Sequence, residues 1–317
     1  MRIAIVGTGG VGGFYGGRLA ALSDPAVDVH FIARGAHLEA LRRNGIRILS
    51  PMGDVHVPRV NATNDPSTIG PVDIVFFTVK LYDTESALSL VPPMMGPQTV
   101  VVPFQNGVDS VNMLASRLGR AHVAGGTTYV SAVIAEPGVI RHTAMNRLLF
   151  GAIEPSQSAQ LEPLRDAAQR AGIDVTLSDK IMVEIWAKFA RLTVFSGVTS
   201  AARSPIGVIM NDPDLRAMLE QALHESIAVA RGKQIPLAAK IYEENLTSFA
   251  SLPPHAKSSM LEDLERGRRL ELPWLSGAVV RLGEEVGVPT PTHRLIVTLL
   301  KPHVSGRPEP SRQLATA

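Results

Sequence analysis

The feature that most constrains this chain is its first dozen residues. Residues 3–6 form a short apolar run, which is typical of a strand buried on both faces. A glycine-rich run follows at once: Gly7, Thr8, Gly9, Gly10, Val11 and Gly12. Helical sequence then extends over 11–22. A G-x-G-x-x-G pattern is weak evidence alone in a chain with 27 glycines, but between a strand and a helix it predicts a dinucleotide-binding βαβ unit.

Each glycine of this pattern has a physical task in such a unit. Gly7 permits the tight turn off the strand, Gly9 lets the backbone approach a pyrophosphate, and Gly12 lets the helix pack on the sheet. The helix N-terminus then offers amide groups and a positive dipole end to the phosphates. The alternative is a glycine-rich turn that binds no ligand.

The end of the second strand indicates which dinucleotide binds. An acidic residue there would accept hydrogen bonds from a ribose 2′-hydroxyl, but the predicted strand 27–33 is followed by Arg34. A guanidinium suits a 2′-phosphate, so the sequence favours NADP(H) over NAD(H). The alternative for Arg34 is a solvated surface arginine.

Alternating strands and helices continue through the N-terminal half. Further strands are predicted at 46–49, 55–57, 74–79 and 99–102, with a helix at 109–118. This order predicts an α/β fold with a parallel, doubly wound Rossmann sheet. After His122, three strand-like runs indicate antiparallel strands added at the sheet edge, and a helix and a last strand end the first domain near Ser178.

The C-terminal half contains helical patterns alone. The predicted segments are 179–200, 213–232, 236–250, 255–267, 273–287 and 291–302. The sequence therefore predicts two domains, an NADP-binding Rossmann domain over 1–178 and an all-helical substrate and catalytic domain over 179–317.

Composition excludes several classes of protein. Lys and Arg total 31 against 29 Asp and Glu, which is too balanced for a dedicated nucleic-acid or membrane-surface protein. The absence of cysteine excludes disulfides, thiolate metal sites and a cysteine nucleophile, and fits a cytoplasmic protein. The nine histidines show no ligand spacing, so no metal site is expected. Neither a signal peptide nor a spanning segment is expected at the N-terminus, because a run of only four apolar residues precedes the glycines.

Ligands of open α/β sheets lie beyond the carboxyl ends of the strands. Lys80 follows the run VFFTV, and Asn106 follows VVVPFQ. Both are candidates for cofactor binding. The alternatives are an exposed strand terminus for Lys80 and a turn residue for Asn106.

One polar stripe crosses the otherwise apolar helix at 179–200. It comprises Lys180, Glu184, Lys188 and Arg191. The stripe is either a solvated face with a Glu184–Lys188 pair or the wall of a cleft, and periodicity alone favours the solvated face.

The sequences NGVDS, EIWAKFA and SSMLEDLERGRRLELPWLSGAVVRLGEEVGVPTPTHRLI, together with the glycine motif, resemble the ketopantoate reductase (2-dehydropantoate 2-reductase) family over nearly the full chain. The resemblance implies a Rossmann domain and a helical domain separated by a cleft. It also implies NADPH-dependent reduction of a 2-oxo acid, ketopantoate to pantoate.

The resemblance also implies roles for individual residues. Lys188 would be the proton donor, and Glu271 would support the substrate and the lysine. Substrate contacts would come from Asn106, Ser196 and Ser259 as well as Lys188, and the cofactor would be lined by Arg34, Lys80, Asn106 and Ala132. A lysine suits the chemistry because it supplies both charge and a proton to a developing alkoxide. Burial would lower its pKa, and a nearby glutamate would oppose that shift.

The chain departs from the family where substrate asparagines are expected, since those positions hold Leu192, Ser196 and Ile206. Two polar contacts become apolar, at a cost of about 1–3 kcal/mol for each unpaired substrate hydroxyl. A bulkier or more apolar oxo acid is therefore an alternative substrate. The residues also leave open a related two-domain hydroxy acid dehydrogenase and a non-enzymatic NADP-binding sensor. The expected partner is a small-molecule substrate, and the chain is expected to be a monomer or a homodimer.

Overall fold

The computed structural model describes residues 1–307, which form two compact units. The first unit is Met1–Ile185, and the second begins at Trp186. Positions 308–317 of the predicted second domain lie outside the described residues.

A five-stranded parallel sheet forms the centre of the first unit. Its strands are β1 (Arg2–Val6), β2 (Asp28–Ile32), β5 (Asn61–Thr63), β6 (Ile74–Phe77) and β7 (Val100–Pro103). They lie in the order β5-β2-β1-β6-β7, so the chain reverses direction across the sheet between β1 and β6. Ligands of such sheets bind at this reversal, at the carboxyl ends of the strands. The helices of the unit are α1 (Gly10–Ala20), α2 (Gly35–Asn44), α3 (Thr84–Leu88), α4 (Ser110–Leu118) and α5 (Ser158–Arg170).

A second sheet corrects part of the predicted topology. It contains β3 (Ile46–Leu49), β4 (Val55–Val57), β8 (Gly125–Glu136), β9 (Val139–Gly151) and β10 (Asp174–Leu177). The order is β10-β9-β3-β4, and β8 pairs with β9. The expectation of three antiparallel strands on the Rossmann edge is wrong, because two of the runs form the single strand β9. Assignment of β3 and β4 to the parallel sheet is also wrong, since they pair with each other antiparallel. The three-residue β5 was not predicted.

Helix α1 lies between the two sheets. A Cβ added at Gly16 would lie 2.8 Å from the Phe31 ring of the parallel sheet. Cβ atoms added at Gly13 and Gly17 would lie 2.6 Å from Ile140 and 2.8 Å from Ile48, both in the second sheet. The glycine-rich sequence of this helix therefore continues past the turn because close packing on two sides leaves no room for side chains.

The second unit is helical throughout its described part. Its helices are α6 (Ile181–Ala202, which begins in the first unit), α7 (Ile206–Asn211), α8 (Pro213–Gly232), α9 (Ile241–Ala250), α10 (Ser259–Glu265), α11 (Ser276–Val286) and α12 (Pro291–Leu300). The predicted α/β class with a Rossmann sheet and a C-terminal helical domain is confirmed. The six-residue α7 was not predicted, and α9 begins five residues later than the predicted start at 236. Within residues 1–307, no helix has the length and apolarity to span a membrane.

Buried polar side chains hold two helix ends in this unit. Glu225, which is 3% exposed, accepts hydrogen bonds from the backbone amides of Thr292 and His293 in the first turn of α12. Ser258 caps α10 by accepting from the amide of Leu261. These amides have no partner inside their own helices, so the caps specify where α10 and α12 begin.

Candidate active site

The glycine turn at the end of β1 needs glycine at Gly7 and Gly12 for packing reasons within the turn and its neighbouring strand. Gly7 has a φ of +93°, and an added Cβ would lie 2.7 Å from Val79 Cγ1. At Gly12 an added Cβ would lie 2.4 Å from the Gly7 carbonyl oxygen. Around Gly9, in contrast, an added Cβ would meet no described heavy atom within 4 Å. The backbone at Gly9 is therefore open to the close approach of a ligand, as a pyrophosphate site requires.

Two threonines fix the shape of this turn. The Thr8 hydroxyl donates to the Ile32 carbonyl at 3.0 Å, and the Thr78 hydroxyl lies 3.0 Å from the Val6 carbonyl oxygen and 2.8 Å from that of Gly7. Because the Thr8 side chain is buried in this contact, only its backbone remains to serve a ligand.

The first turn of α1 packs against β8. A Cβ added at Gly10 would lie 2.0 Å from the carbonyl oxygen of Ala132, which is itself half-buried. Glycine is thus required at Gly10 by packing, apart from any ligand. The neighbouring Val11 is half-buried. The structure therefore brings the predicted cofactor residue Ala132 to the glycine turn.

Arg34 is the residue before the first turn of α2, two positions after β2 ends at Ile32. Its side chain is 84% exposed, and its guanidinium Nη2 lies 3.9 Å from an oxygen of the Asp83 carboxylate. Exposed ion pairs of this kind contribute little, so this contact would compete weakly with a bound phosphate. The position and exposure suit the predicted recognition of a 2′-phosphate.

Lys80 and Asn106 follow the neighbouring strands β6 and β7. Lys80 is exposed and Asn106 is half-buried. The buried Gln105, to which the sequence assigned no role, connects the two strand ends. Its amide nitrogen donates to the Val79 carbonyl and to the Thr84 hydroxyl, both at 2.9 Å. The sequence VVVPFQNG shows that Gln105 follows a buried strand, but nothing in it distinguishes an amide that connects two strands from one that binds a ligand.

Lys188 lies on α6 and is 9% exposed, so the solvated-face interpretation of the polar stripe is wrong for this residue. Burial lowers the pKa of the Lys188 amine from 10.5 to about 8. The Glu271 carboxylate acts in the opposite direction, and the Arg191 guanidinium lowers the pKa further. A lysine with this pKa can donate a proton near neutral pH and exist as the neutral amine in mild base.

The two charged groups that act on Lys188 are held by the helical unit itself. Glu271 is 5% exposed and precedes the short turn Leu272–Trp274, where its carbonyl accepts from the Trp274 amide at 3.0 Å. Arg191 donates from Nη1 to the Ser248 hydroxyl of α9 at 2.8 Å. The sequence assigned no role to Arg191. Its position three residues after Lys188 indicates proximity to that lysine, because residues at that spacing share a helix face.

The other predicted substrate residues differ in burial. Ser196 is 1% exposed, and its hydroxyl has no hydrogen-bond partner among residues 1–307. Ser259 is exposed at the first turn of α10. Leu192 is half-buried, whereas Ile206 is 1% exposed and belongs to the apolar core of the helical unit.

Comparisons with known proteins agree with this combination of units. Residues 3–155 match the family model "Ketopantoate reductase PanE/ApbA", and residues 180–304 match the corresponding C-terminal model. A 2-dehydropantoate 2-reductase of Archaeoglobus fulgidus is 30% identical over 96% of this chain and 98% of its own. One from Mesorhizobium japonicum is 29% identical over 95% and 97%.

Solved structures are similar over the same extent. A PanE/ApbA family ketopantoate reductase from Ralstonia eutropha is 31% identical, with a TM-score of 0.87 over 96% of this chain and 98% of its own. D-mandelate dehydrogenase in complex with NADH and anilino(oxo)acetate has a TM-score of 0.86 at 20% identity over 96% of this chain and 98% of its own, and shares the fold. The matches to both family models over most of the chain, and to relatives at 30–31% identity, show that the chain belongs to the ketopantoate reductase family of NAD(P)-dependent oxidoreductases.

Proposed function

We propose that this protein reduces the 2-oxo group of ketopantoate to give pantoate, with NADPH as the electron donor and Lys188 as the proton donor. The observation that carries this proposal is the buried Lys188 amine, whose pKa is lowered to about 8 beside Glu271 and Arg191. Reduction of a ketone needs a hydride at the carbonyl carbon and a proton at its oxygen. A positioned acid with a pKa near the working pH is the efficient source of that proton.

The first unit supports the NADPH part of the proposal. The open backbone at Gly9 and the N-terminus of α1 would receive the pyrophosphate. The exposed Arg34 would bind the 2′-phosphate, and the strand before it ends without the carboxylate that an unphosphorylated ribose prefers. When bound, NADPH would supply the hydride. Lys80, Asn106 and Ala132 remain predicted contacts of the cofactor.

The second unit supplies the acid chemistry. The Lys188 ammonium would donate its proton to the developing alkoxide, and its positive charge would stabilise that alkoxide beforehand. Glu271 favours the protonated form of the amine, so it keeps the donor charged despite burial. Arg191 opposes this effect and makes the ammonium a stronger acid.

The substrate assignment rests on the family and on the polar groups that remain. Ser196 offers a buried hydroxyl with no partner among residues 1–307. An unpaired buried hydroxyl costs about 1–3 kcal/mol, so a substrate hydroxyl that bonds to it would recover this free energy. Leu192 and Ile206 offer no such contact, and for this reason the assay includes 2-oxo acids with apolar tails.

The test is oxidation of NADPH by purified protein in the presence of ketopantoate and a panel of other 2-oxo acids. We expect Lys188→Ala to lower kcat by about 10²–10⁴-fold, the usual contribution of a positioned acid. Lys180→Ala is the matched control, because this exposed lysine precedes the same helix. Absence of turnover with every 2-oxo acid would contradict the proposal, as would equal activity of the two variants.

Cofactor choice has its own test. We expect Arg34→Gln to raise the KM for NADPH by about tenfold, since a charge-assisted hydrogen bond is lost, and to leave the KM for NADH unchanged. Arg43→Gln on the same helix α2 is the control, because Arg43 is exposed but lies near the opposite end of the helix. Equal effects on NADPH and NADH would refute the role of Arg34.

A further inference from the structure

The helical unit contains a cavity of about 200 Å³ that none of the residues discussed above lines. Its charged and titratable lining consists of Arg203, Glu265, Arg268, His303 and Arg307. We name it the arginine cavity. Guanidinium groups dominate the lining, and the single carboxylate among the lining residues, Glu265, accepts a hydrogen bond from Lys257 outside it at 2.7 Å.

Two of the three arginines of this cavity have no ion pair within residues 1–307. These are Arg203 and Arg307, whereas Arg268 pairs with Asp263 at 3.8 Å. Like charges grouped at one cavity repel each other, so an anion bound among them would relieve that repulsion.

Arg203 and His303 are joined by a hydrogen bond in this lining. Arg203 donates from Nη2 to His303 Nε2 at 3.2 Å, since a guanidinium only donates. This hydrogen bond fixes the Arg203 guanidinium relative to His303.

Backbone packing fixes the two segments that carry Arg268 and Arg307. The Arg307 amide donates to the Gly267 carbonyl at 3.0 Å, and an added Cβ at Gly306 would lie 2.9 Å from the same oxygen. The Arg307 side chain runs across Gly267, where an added Cβ would lie 3.2 Å from Arg307 Cβ. Gly267 and Gly306 have φ values of +66° and +105°, which favour glycine. The close approach of these segments therefore sets the positions of the two arginines.

We propose that the arginine cavity is a binding site for a small phosphate-bearing molecule. A planar guanidinium forms paired hydrogen bonds with two oxygens of a phosphate or a carboxylate. One guanidinium therefore satisfies the two oxygens of a carboxylate, whereas a phosphate has further oxygens for a second guanidinium. Several guanidiniums at one cavity therefore favour an anion with more than one charge and at least three acceptor oxygens. The cavity is partly open to solvent, and its volume of about 200 Å³ admits a phosphate or pyrophosphate group but not a nucleic-acid duplex. The site does not depend on the proposed reductase reaction.

The experiment is calorimetric titration of the full chain with inorganic pyrophosphate at constant ionic strength. Saturating NADP⁺ is present throughout, so that the glycine turn and Arg34 do not contribute to the signal. We expect saturable binding to the wild-type protein with one site. Each of Arg203→Gln and Arg307→Gln should weaken it by about tenfold, the effect of one hydrogen bond between charged groups.

Arg216→Gln is the matched control, because Arg216 is a half-exposed arginine of the same unit that pairs with Glu220. Thermal melting of each variant without ligand shows that folding is retained. The proposal is overturned if pyrophosphate does not bind at millimolar concentration, if Arg216→Gln weakens binding as much as the cavity variants, or if citrate binds more tightly than pyrophosphate. Because no turnover is measured, these outcomes are separate from failure of the reductase proposal.

Discussion

The pH dependence of reduction gives the sharpest test of the role of Lys188. The fall in pKa of Lys188 from 10.5 to about 8 corresponds to about 3 kcal/mol of preference for the neutral amine, at about 1.4 kcal/mol for each tenfold change. The amine is protonated below pH 8 and loses its proton above it. Because reduction consumes that proton, we expect kcat to be constant below about pH 8 and to fall tenfold per pH unit above it. Oxidation of pantoate needs the neutral amine and should show the opposite profile.

The charges around Lys188 predict opposite shifts for two variants. Glu271 raises the pKa of the amine, so Glu271→Gln should move the falling limb to lower pH. Arg191 lowers it, so Arg191→Met should move the limb to higher pH. General loss of packing would not produce shifts of opposite sign.

The assay is kcat at saturating NADPH and substrate from about pH 6 to about pH 10, because kcat reports groups in the enzyme–substrate complex. A primary isotope effect with deuterated NADPH confirms that the chemical step limits the rate. A flat profile to the upper limit, or shifts of the same sign in the two variants, would refute the assignment of Lys188 as the acid.

Three further predictions concern binding and stability. Gly9→Ala should leave the melting temperature unchanged, because the added Cβ meets only open space, but should weaken NADPH binding, because the Cβ occupies that space. Gly12→Ala should lower the melting temperature, because its Cβ would lie 2.4 Å from a carbonyl oxygen. Melting curves and NADPH titration distinguish the two variants, and the reverse pattern would be inconsistent with the geometry of the turn. Gln157→Leu should destabilise the first unit by about 2–4 kcal/mol in urea unfolding, since the buried Gln157 side chain hydrogen-bonds to three backbone carbonyls and two backbone amides that would lose their partner. No change in stability would mean that water replaces the Gln157 side chain at these groups. Glu225→Ala should lower the free energy of unfolding by about 1–3 kcal/mol, because the backbone amides of Thr292 and His293 in α12 lose their hydrogen-bond partner. A loss that appears at low salt and disappears at high salt would indicate a long-range charge effect instead.

Much of the Rossmann half followed from local sequence. The strands β1, β2, β6 and β7 were predicted to within two residues at each end, since continuous apolar runs bounded by glycine or polar residues identify buried parallel strands. The short polar β5 was missed because its pairing with β2 arises from neighbouring strands and leaves no pattern of its own.

Partition of the strands between two sheets did not follow from sequence. Apolar alternation identified β3 and β4 with their observed bounds but not their neighbours, because alternation reports a buried face and not the partner that covers it. The long β9 was predicted as two of the three strand-like runs after His122. Within it, Met145 has a φ of +60° and lies at an irregularity in the pairing with β8.

The sequence alone determined the glycine turn, the class of fold and the helical character of the second unit. These features depend on residues close together in the chain, where backbone conformation and helix periodicity leave a direct pattern. Lys188 became the candidate acid through the family resemblance, since periodicity favoured a solvated face for it. Only the tertiary structure decided that Lys188 is buried near Glu271 and Arg191, that Gln105 joins two strand ends, and that distant arginines line one cavity. Burial and electrostatic environment depend on which segments meet in space, and residues 83 positions apart in the chain, such as Lys188 and Glu271, carry no local record of their proximity.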